Sequence, residues 1–313
     1  ETKLVILLST YHAGESGVFT FSDSQLDLSD GRKVKVNTEI IENLNFPFFK
    51  VSNSAGIQGE HSLEIQMPFV KYCFPKAKIV PLYIGRLDDK QRGLFAEKLD
   101  EINDKYGAKC RWVINSDFLH AYSESHGGLG EYTLPDKDFS EHVVKCERDF
   151  YHVLMKSGGD VGGDVGGDVG GDVKLDKLMK KYTRNGVKPS ICGIEALKLW
   201  CRTKLYEKLM SRLACYYTSG HLERDFVSEN VLKNYSHNGG KIVSYCSICY
   251  YNYDERKLAG YKLNRTLTRF EELLLLDNAR RSIVMKKDNL SPLIICPVFS
   301  VNKGIFVTLK KNG

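Results

Sequence analysis

Four short polar segments of the sequence carry side chains that could bind a metal ion or move protons. Two of them directly follow runs of apolar residues, a third lies just before a predicted helix, and a fourth is predicted to start a helix. Their candidate functional residues are, in chain order, His12, His61, Asp117, His120 and Cys192.

Two kinds of chemistry suit this set of residues. Imidazole and thiolate together favour iron, copper or zinc over magnesium or calcium. A histidine beside a carboxylate is also the usual arrangement for general acid–base catalysis. Structural roles are the alternative for each residue: His12 could bond backbone at a strand end, His61 could cap its helix, and Cys192 could be a small core residue. Asp117 and His120 are three positions apart and could pair on one helical turn.

The elements that must position these residues follow an alternating pattern. Apolar runs predict buried strands at 4–8, 79–84 and 112–114, and residues 88–106 carry apolar positions at helical spacing. Such βαβ alternation predicts an α/β fold with a mostly parallel central sheet flanked by helices. Ligands of such sheets bind beyond the carboxyl ends of the strands, where two of the polar segments lie.

The second half of the chain is interrupted by a low-complexity tract. Gly-Gly-Asp-Val occurs four times from Gly158 to Val173, and we expect a disordered insertion over residues 157–174 because it has no apolar face. Helices are predicted at 174–184 and 196–213, and a β-rich run at 242–250.

The amino-acid composition of the chain is that of a globular protein. The chain has 313 residues, of which 42% are hydrophobic and 27% charged, as in ordinary globular proteins. The net charge of +6 is spread along the chain, so we expect no nucleic acid as a partner, and no apolar run reaches the roughly 18 residues of a membrane span. Nine irregularly spaced cysteines favour a reducing compartment, which predicts a cytoplasmic or nuclear location.

The polar segments also resemble the signature segments of a known family, the MEMO proteins. Their order is the same as in the family, and the resemblance covers roughly residues 3–252. The segments that carry it are Leu-Ser-Thr-Tyr-His-Ala-Gly (8–14), Gly-Glu-His-Ser-Leu-Glu-Ile-Gln-Met-Pro (59–68), Ser-Asp-Phe-Leu-His (116–120) and Ile-Cys-Gly (191–193).

This resemblance implies a fold shared with the class III extradiol dioxygenases (LigB-like) and a pocket for non-haem iron or copper. His12 and Cys192 match two of the family's metal ligands. The family's first histidine ligand belongs to a Pro-His-Ala-Gly-Tyr segment that would lie upstream of Glu1. His61, Asp117 and His120 match pocket residues, with His61 or His120 handling protons and Asp117 orienting a histidine or a metal-bound water.

The end of the chain resembles a second family, the AMMECR-type domains. The matching segments are 270–280, Phe-Glu-Glu-Leu-Leu-Leu-Leu followed by Ala-Arg, and 304–309, Gly-Ile-Phe-Val-Thr-Leu. We therefore expect a MEMO-like domain over residues 1–253, a linker over 254–265 and the first part of an AMMECR-type α+β domain over 266–313.

Two functions are compatible with these resemblances. The first is a metal-dependent oxidoreductase, dioxygenase-like, that performs redox or oxygen chemistry on a small molecule. The second is a non-catalytic adaptor, a pseudoenzyme that binds peptides of the phosphotyrosine type through the same pocket. Metal content and peptide binding distinguish the two.

Overall fold

Strand β1 (Leu4–Thr10) is the centre of a largely parallel sheet in the computed structural model. All seven of its residues are buried, because it lies between two parallel neighbours and under helices. It pairs with β6 (Lys78–Ile84) on one side and with β7 (Cys110–Ile114) on the other, and Leu4 is level with the first residue of each. The structure therefore confirms a mixed α/β class with a mainly parallel sheet.

The remaining strands of this sheet lie on the β6 side. They are β2 (Val18–Phe21), β3 (Gln25–Asp27), β4 (Lys33–Val36) and β5 (Phe49–Ser52). The strand order is β3-β4-β6-β1-β7, and β2 pairs with both β6 and β5. The pairs β4–β6 and β2–β5 are parallel, whereas β3–β4 and β2–β6 are antiparallel.

Helix α3 shows how local sequence sets the bounds of an element. Asp88 caps its amino end: the Asp88 carboxylate accepts from the Gln91 backbone N–H at 2.8 Å, and the Gln91 side chain accepts from the Asp88 N–H at 3.1 Å. The helix ends at Gly107, whose φ of +52° is unfavourable for other residues. The helices of the described part are α1 (Thr38–Glu42), α2 (Met67–Cys73), α3 (Asp89–Tyr106), α4 (Phe139–Met155), α5 (Gly171–Lys181), α6 (Ile194–Cys201) and α7 (Lys204–Lys208).

A smaller sheet forms around β8 (Leu119–Ser123). This strand pairs in antiparallel fashion with β10 (Ser190–Ile191) and with the first three residues of β12 (Lys241–Tyr251), and in parallel with β9 (Thr133–Leu134). Ser190 and Val243 are both level with His120, so β10 brings the Cys192 segment beside β8.

The predicted insertion needs correction at its carboxyl end. Residues 171–174 lie in helix α5 rather than in a disordered tract, because Asp172 is fully buried. Its Oδ2 lies 3.3 Å from Nη1 of Arg202 and 3.7 Å from Nη1 of Arg92. Gly171 packs closely here, since a Cβ at this position would lie 3.0 Å from the Cβ of Cys201.

The predicted helix over 196–213 is also wrong in its extent. The chain leaves α6 after Cys201, starts the short helix α7 and then enters strand β11 (Met210–Thr218). Thr203 separates the two helices because its hydroxyl accepts from the Tyr206 N–H at 3.1 Å. Asp100 adds to this cap by accepting from the Lys204 N–H at 2.8 Å.

The structure describes residues 1–28, 30–52, 60–137, 139–155, 170–218 and 240–251. Within these ranges, no helix is both long and apolar enough to cross a membrane. The predicted linker 254–265 and AMMECR-type segment 266–313, and most of the Gly-Gly-Asp-Val tract, lie outside them, so those domain bounds stay predictions.

The chain divides into two units. The first comprises residues 1–208 and 237–243 and contains the parallel sheet and the helices. The second comprises residues 209–236 and 244–313, and its described part is an antiparallel pair of β11 with residues 244–251, with a bulge between Leu213 and Cys215.

Candidate functional site

The carboxyl ends of β1 and β7 bring two of the polar segments together. Asn115 continues β7 and donates its backbone N–H to the Leu8 carbonyl at 2.8 Å. Its side-chain amide donates to Ser9 Oγ at 3.2 Å and to the Ser62 carbonyl at 2.6 Å. Asn115 therefore joins the end of β1, the end of β7 and the segment that contains His61.

Three of the predicted residues form one compact cluster. Nε2 of His120 lies 3.4 Å from Sγ of Cys192 and 3.4 Å from Oδ2 of Asp117. One ligand atom from each of the three residues lies within 4.8 Å of the other two. The Cys192 sulfur and the Asp117 carboxylate both contact Nε2 of His120. The three residues therefore do not form a catalytic triad, in which the acid and the thiol would contact different nitrogens of the imidazole.

The charges of this cluster stabilise one another. The hydrogen bond to Asp117 raises the pKa of His120 to about 9, and Cys192 adds to the effect against the opposing effect of burial. The same contact with His120 lowers the pKa of the Cys192 thiol, although burial opposes it. The pKa of Asp117 is lowered as well, chiefly by His120. Each of the three interactions thus shifts its group towards the charged form.

His12 lies next to this cluster and is held by Glu60. The backbone N–H of His12 donates to Oε2 of Glu60 at 2.6 Å, and the ring Nδ1 lies 3.0 Å from Oε1. Burial disfavours the imidazolium, but hydrogen bonds to Glu60 and Cys192 outweigh it and raise the pKa of His12. This effect on the pKa indicates that the His12 ring is close to Cys192.

The His61 ring is stacked on the His12 ring. The two imidazoles are parallel, with ring centroids 5.5 Å apart and an interplanar angle of 2°. His61 is exposed, and no contact places it among the three clustered ligand atoms of the described residues. Its segment is fixed by Ser62, whose hydroxyl donates to the Thr10 carbonyl at 2.8 Å.

Gly193 and Ser116 hold Cys192 against the end of β7. The Gly193 N–H donates to Ser116 Oγ at 2.8 Å. A Cβ on Gly193 would lie 2.4 Å from the Cβ of Ser116 and 3.1 Å from the Asn115 carbonyl oxygen. Only glycine therefore allows the segment after Cys192 to approach this closely.

The structure thus brings together Asp117, His120 and Cys192 and places His12 beside them, with His61 stacked on His12. Sequence reasoning missed several residues that position this set. The sequence feature that could have identified them is their position within the same polar segments. These positioning residues are Glu60, Ser62, Asn115, Ser116 and Gly193.

Comparison with known proteins identifies a family for the first half of the chain. A family model described as "Memo-like protein" matches residues 1–158 of the 313. The chain belongs to the Memo-like family. The matched range includes four of the five predicted site residues, and Cys192 lies beyond it.

Several curated relatives of this Memo-like chain are archaeal MEMO1 family proteins. The protein of Archaeoglobus fulgidus is 31% identical over 121 residues, which cover 39% of this chain and 46% of the relative. That of Pyrobaculum aerophilum is 30% identical over 89 residues, covering 28% and 32%. That of Caldivirga maquilingensis is 24% identical over 157 residues, covering 49% and 53%. The chain thus spans about a third to a half of the length of these relatives.

Proposed function

We propose that this chain binds iron or copper in a pocket that contains Cys192, His120 and Asp117. The observation that supports the proposal is the convergence of three ligand atoms within 4.8 Å on side chains separated by up to 75 positions. His12, a ligand expected from the family resemblance, lies close enough to Cys192 to affect its pKa and is the fourth candidate.

The chemistry of these side chains fits a transition metal. Thiolate and imidazole are donors that iron, copper and zinc prefer, and a carboxylate completes a mixed set. The lowered pKa of Cys192 favours the deprotonated sulfur that metal binding requires. A bound iron or copper ion would supply redox or oxygen chemistry on a small substrate, which makes the chain a dioxygenase-like oxidoreductase.

The protein's own residues have separate tasks in this proposal. Without a metal, Asp117 holds the His120 ring through the 3.4 Å contact with Nε2, and a metal bound at Nε2 would replace that contact. Glu60 fixes the ring of His12 through both of its carboxylate oxygens. His61 is exposed beside His12 and can exchange protons with a molecule that enters from solvent.

Metal analysis of the full chain tests the proposal. Cys192→Ala and His120→Ala should each lose most of the iron or copper that the wild-type protein retains after dialysis. His12→Ala shows whether the imidazole of His12 also binds the metal. Cys73→Ala is the matched control, because Cys73 is a free, exposed thiol. Unchanged metal content in both Cys192→Ala and His120→Ala defeats the proposal.

The adaptor function is a second candidate, and one observation favours it. The stacked rings of His12 and His61 are both exposed, and the raised pKa of His12 favours a positive charge that a phosphorylated tyrosine could contact. Binding of a phosphotyrosine peptide that survives chelation and Cys192→Ala supports the adaptor. Binding that disappears with the metal supports the metal pocket. The AMMECR-type tail and a cytoplasmic or nuclear location remain part of the proposal.

A further inference from the structure

A second recess of the first unit opens beside the candidate site. It is a cleft of about 350 Å³, at the small end of ligand-binding cavities. Its walls come from β8, from the loop before β9 and from the segment that leads into β10. The lining side chains include His120, Tyr122, Glu131, Tyr132, Lys188 and Ser190.

Two opposite charges line this cleft without neutralising each other. Among the described residues, neither Glu131 nor Lys188 takes part in an ion pair, although both line the same recess. Glu131 is held in place because its Oε2 accepts from the Gly128 N–H at 2.6 Å. Its position is therefore set by backbone and not by a cation of the protein.

Lys188 is also placed by rigid backbone. It follows a tight turn in which Arg184 and Val187 exchange both backbone hydrogen bonds, at 2.9 and 2.8 Å. Asn185 and Gly186 form the turn with φ values of +49° and +79°. These values suit a type I′ turn, whose geometry is well defined.

Two tyrosines, Tyr122 and Tyr132, give the cleft fixed walls. Tyr132 is buried, and its hydroxyl donates to the Tyr182 carbonyl at 2.9 Å. Tyr122 has the ammonium of Lys241 5.2 Å from its ring centroid, which restrains the ring through a cation–π contact. Preorganised walls reduce the entropy that binding must offset.

His120 connects the cleft with the candidate metal pocket. Its Nε2 contacts Cys192 and Asp117, while the residue also lines the cleft. A molecule bound in the cleft therefore contacts the imidazole that the proposed metal site uses.

We propose that this cleft binds a zwitterionic small molecule of the amino-acid or dipeptide class. Its ammonium pairs with Glu131, its carboxylate pairs with Lys188, and its uncharged part lies between the tyrosines. The proposal names a substrate class for the function proposed above and rests on that function for any reaction, but the binding itself is independent of metal.

Calorimetric titration with three forms of one dipeptide tests the charge pattern. The probes are glycyl-serine, its N-acetyl form without the ammonium, and its carboxamide without the carboxylate. Wild-type protein should bind the zwitterion about 1.5-fold to fivefold more tightly than either blocked form, the range expected for exposed ion pairs. Equal affinity for the three forms, or no saturable binding of the zwitterion, overturns the proposal.

Variants assign each charge to its partner. Glu131→Gln should abolish the preference for a free ammonium and keep the preference for a free carboxylate, whereas Lys188→Met should do the opposite. Lys33→Met is the control, because Lys33 is an exposed lysine on β4 that pairs with Asp27. Variants that leave both preferences unchanged overturn the proposal.

The same variants can refute metal binding independently of zwitterion binding. Cys192→Ala should lose metal yet bind glycyl-serine as the wild-type protein does, while Glu131→Gln and Lys188→Met should retain metal. Loss of glycyl-serine binding in Cys192→Ala contradicts a cleft that binds the zwitterion independently of metal. Normal zwitterion binding in a chain that never retains metal refutes only the metal pocket.

Discussion

Glu60 is the buried carboxylate on which the placement of His12 depends, and we expect Glu60→Gln to destabilise the protein. The Glu60 side chain is only 5% exposed. It accepts from the backbone N–H groups of His12 at 2.6 Å and Ser62 at 3.0 Å and also contacts the His12 ring. Glutamine has nearly the same shape but no charge. Its side-chain NH₂ group would face the backbone N–H of His12 or of Ser62, where no hydrogen bond can form.

The expected loss of stability follows from these contacts. A hydrogen bond to a charged group contributes about 1.5–3 kcal/mol, and glutamine sacrifices roughly one of them. We therefore expect Glu60→Gln to lower the free energy of unfolding by about 2–3 kcal/mol near pH 6. Glu64→Gln is the matched control, because Glu64 is exposed in the same segment and should change stability by less than about 0.5 kcal/mol.

The pH dependence of this loss has a defined sign. Burial opposes ionisation of Glu60, but hydrogen bonds from His12 and Ser62 outweigh it and lower its pKa, so its contribution disappears as pH falls below about 4.5. The pKa of His12 is raised, so its contribution is complete below about 6.5 and disappears as pH rises through the folded-state value. The difference between wild type and Glu60→Gln should be largest between about pH 5 and 6.5.

Urea denaturation measures this difference at several pH values. Tryptophan fluorescence follows the unfolding of the first unit, because both tryptophans of the chain, Trp112 and Trp200, lie in it. Their ring centroids are 5.3 Å apart. If Glu60→Gln and Glu64→Gln unfold alike from pH 4 to pH 8, Glu60 does not hold His12 in solution and the reasoning fails.

Three further predictions concern other parts of the first unit. Asp172→Asn should destabilise the protein by about 2–4 kcal/mol in urea denaturation because it removes the buried negative charge that faces Arg92 and Arg202, whereas Asp176→Asn, whose carboxylate is 44% exposed and pairs with Lys198, should cost less than about 1 kcal/mol; equal effects contradict the buried pairing. Gly193→Ala should cost about 1–3 kcal/mol by overpacking and reduce metal retention, and a wild-type melting temperature excludes this. In the metal-free protein, NMR titration should give His120 a pKa of about 9 that falls in Asp117→Asn; an unshifted value shows that the pair is not formed.

The parallel sheet and helix α3 could be predicted because their signals are local. β1 is an uninterrupted apolar run, and α3 combines helical periodicity with Asp88 and Gln91 at capping positions. The start of α5 could not be predicted, since its composition is that of a flexible repeat. What orders it is a pair of arginines, one of which, Arg92, lies 80 positions earlier in the chain.

The candidate site was only partly predictable for the same reason. The residue types and their positions after strands indicated the pocket, and the family resemblance selected Cys192. The contact between His120 and Cys192 joins residues 72 positions apart, and that between His12 and Glu60 joins residues 48 positions apart. No local pattern encodes such pairings, so the role of Glu60 appears only in three dimensions.

The last Gly-Gly-Asp-Val unit is held in helix α5, and this limits which changes in the number of repeats affect the fold. Asp172 is fixed in register by the buried side chains that follow it, Leu175 and Met179, and these lie outside the repeat. Replication slippage that adds or deletes upstream copies therefore leaves the docked copy unchanged. It changes only the number of residues between α4 and α5, so the contacts of Asp172 with Arg92 and Arg202 are kept whatever the copy number.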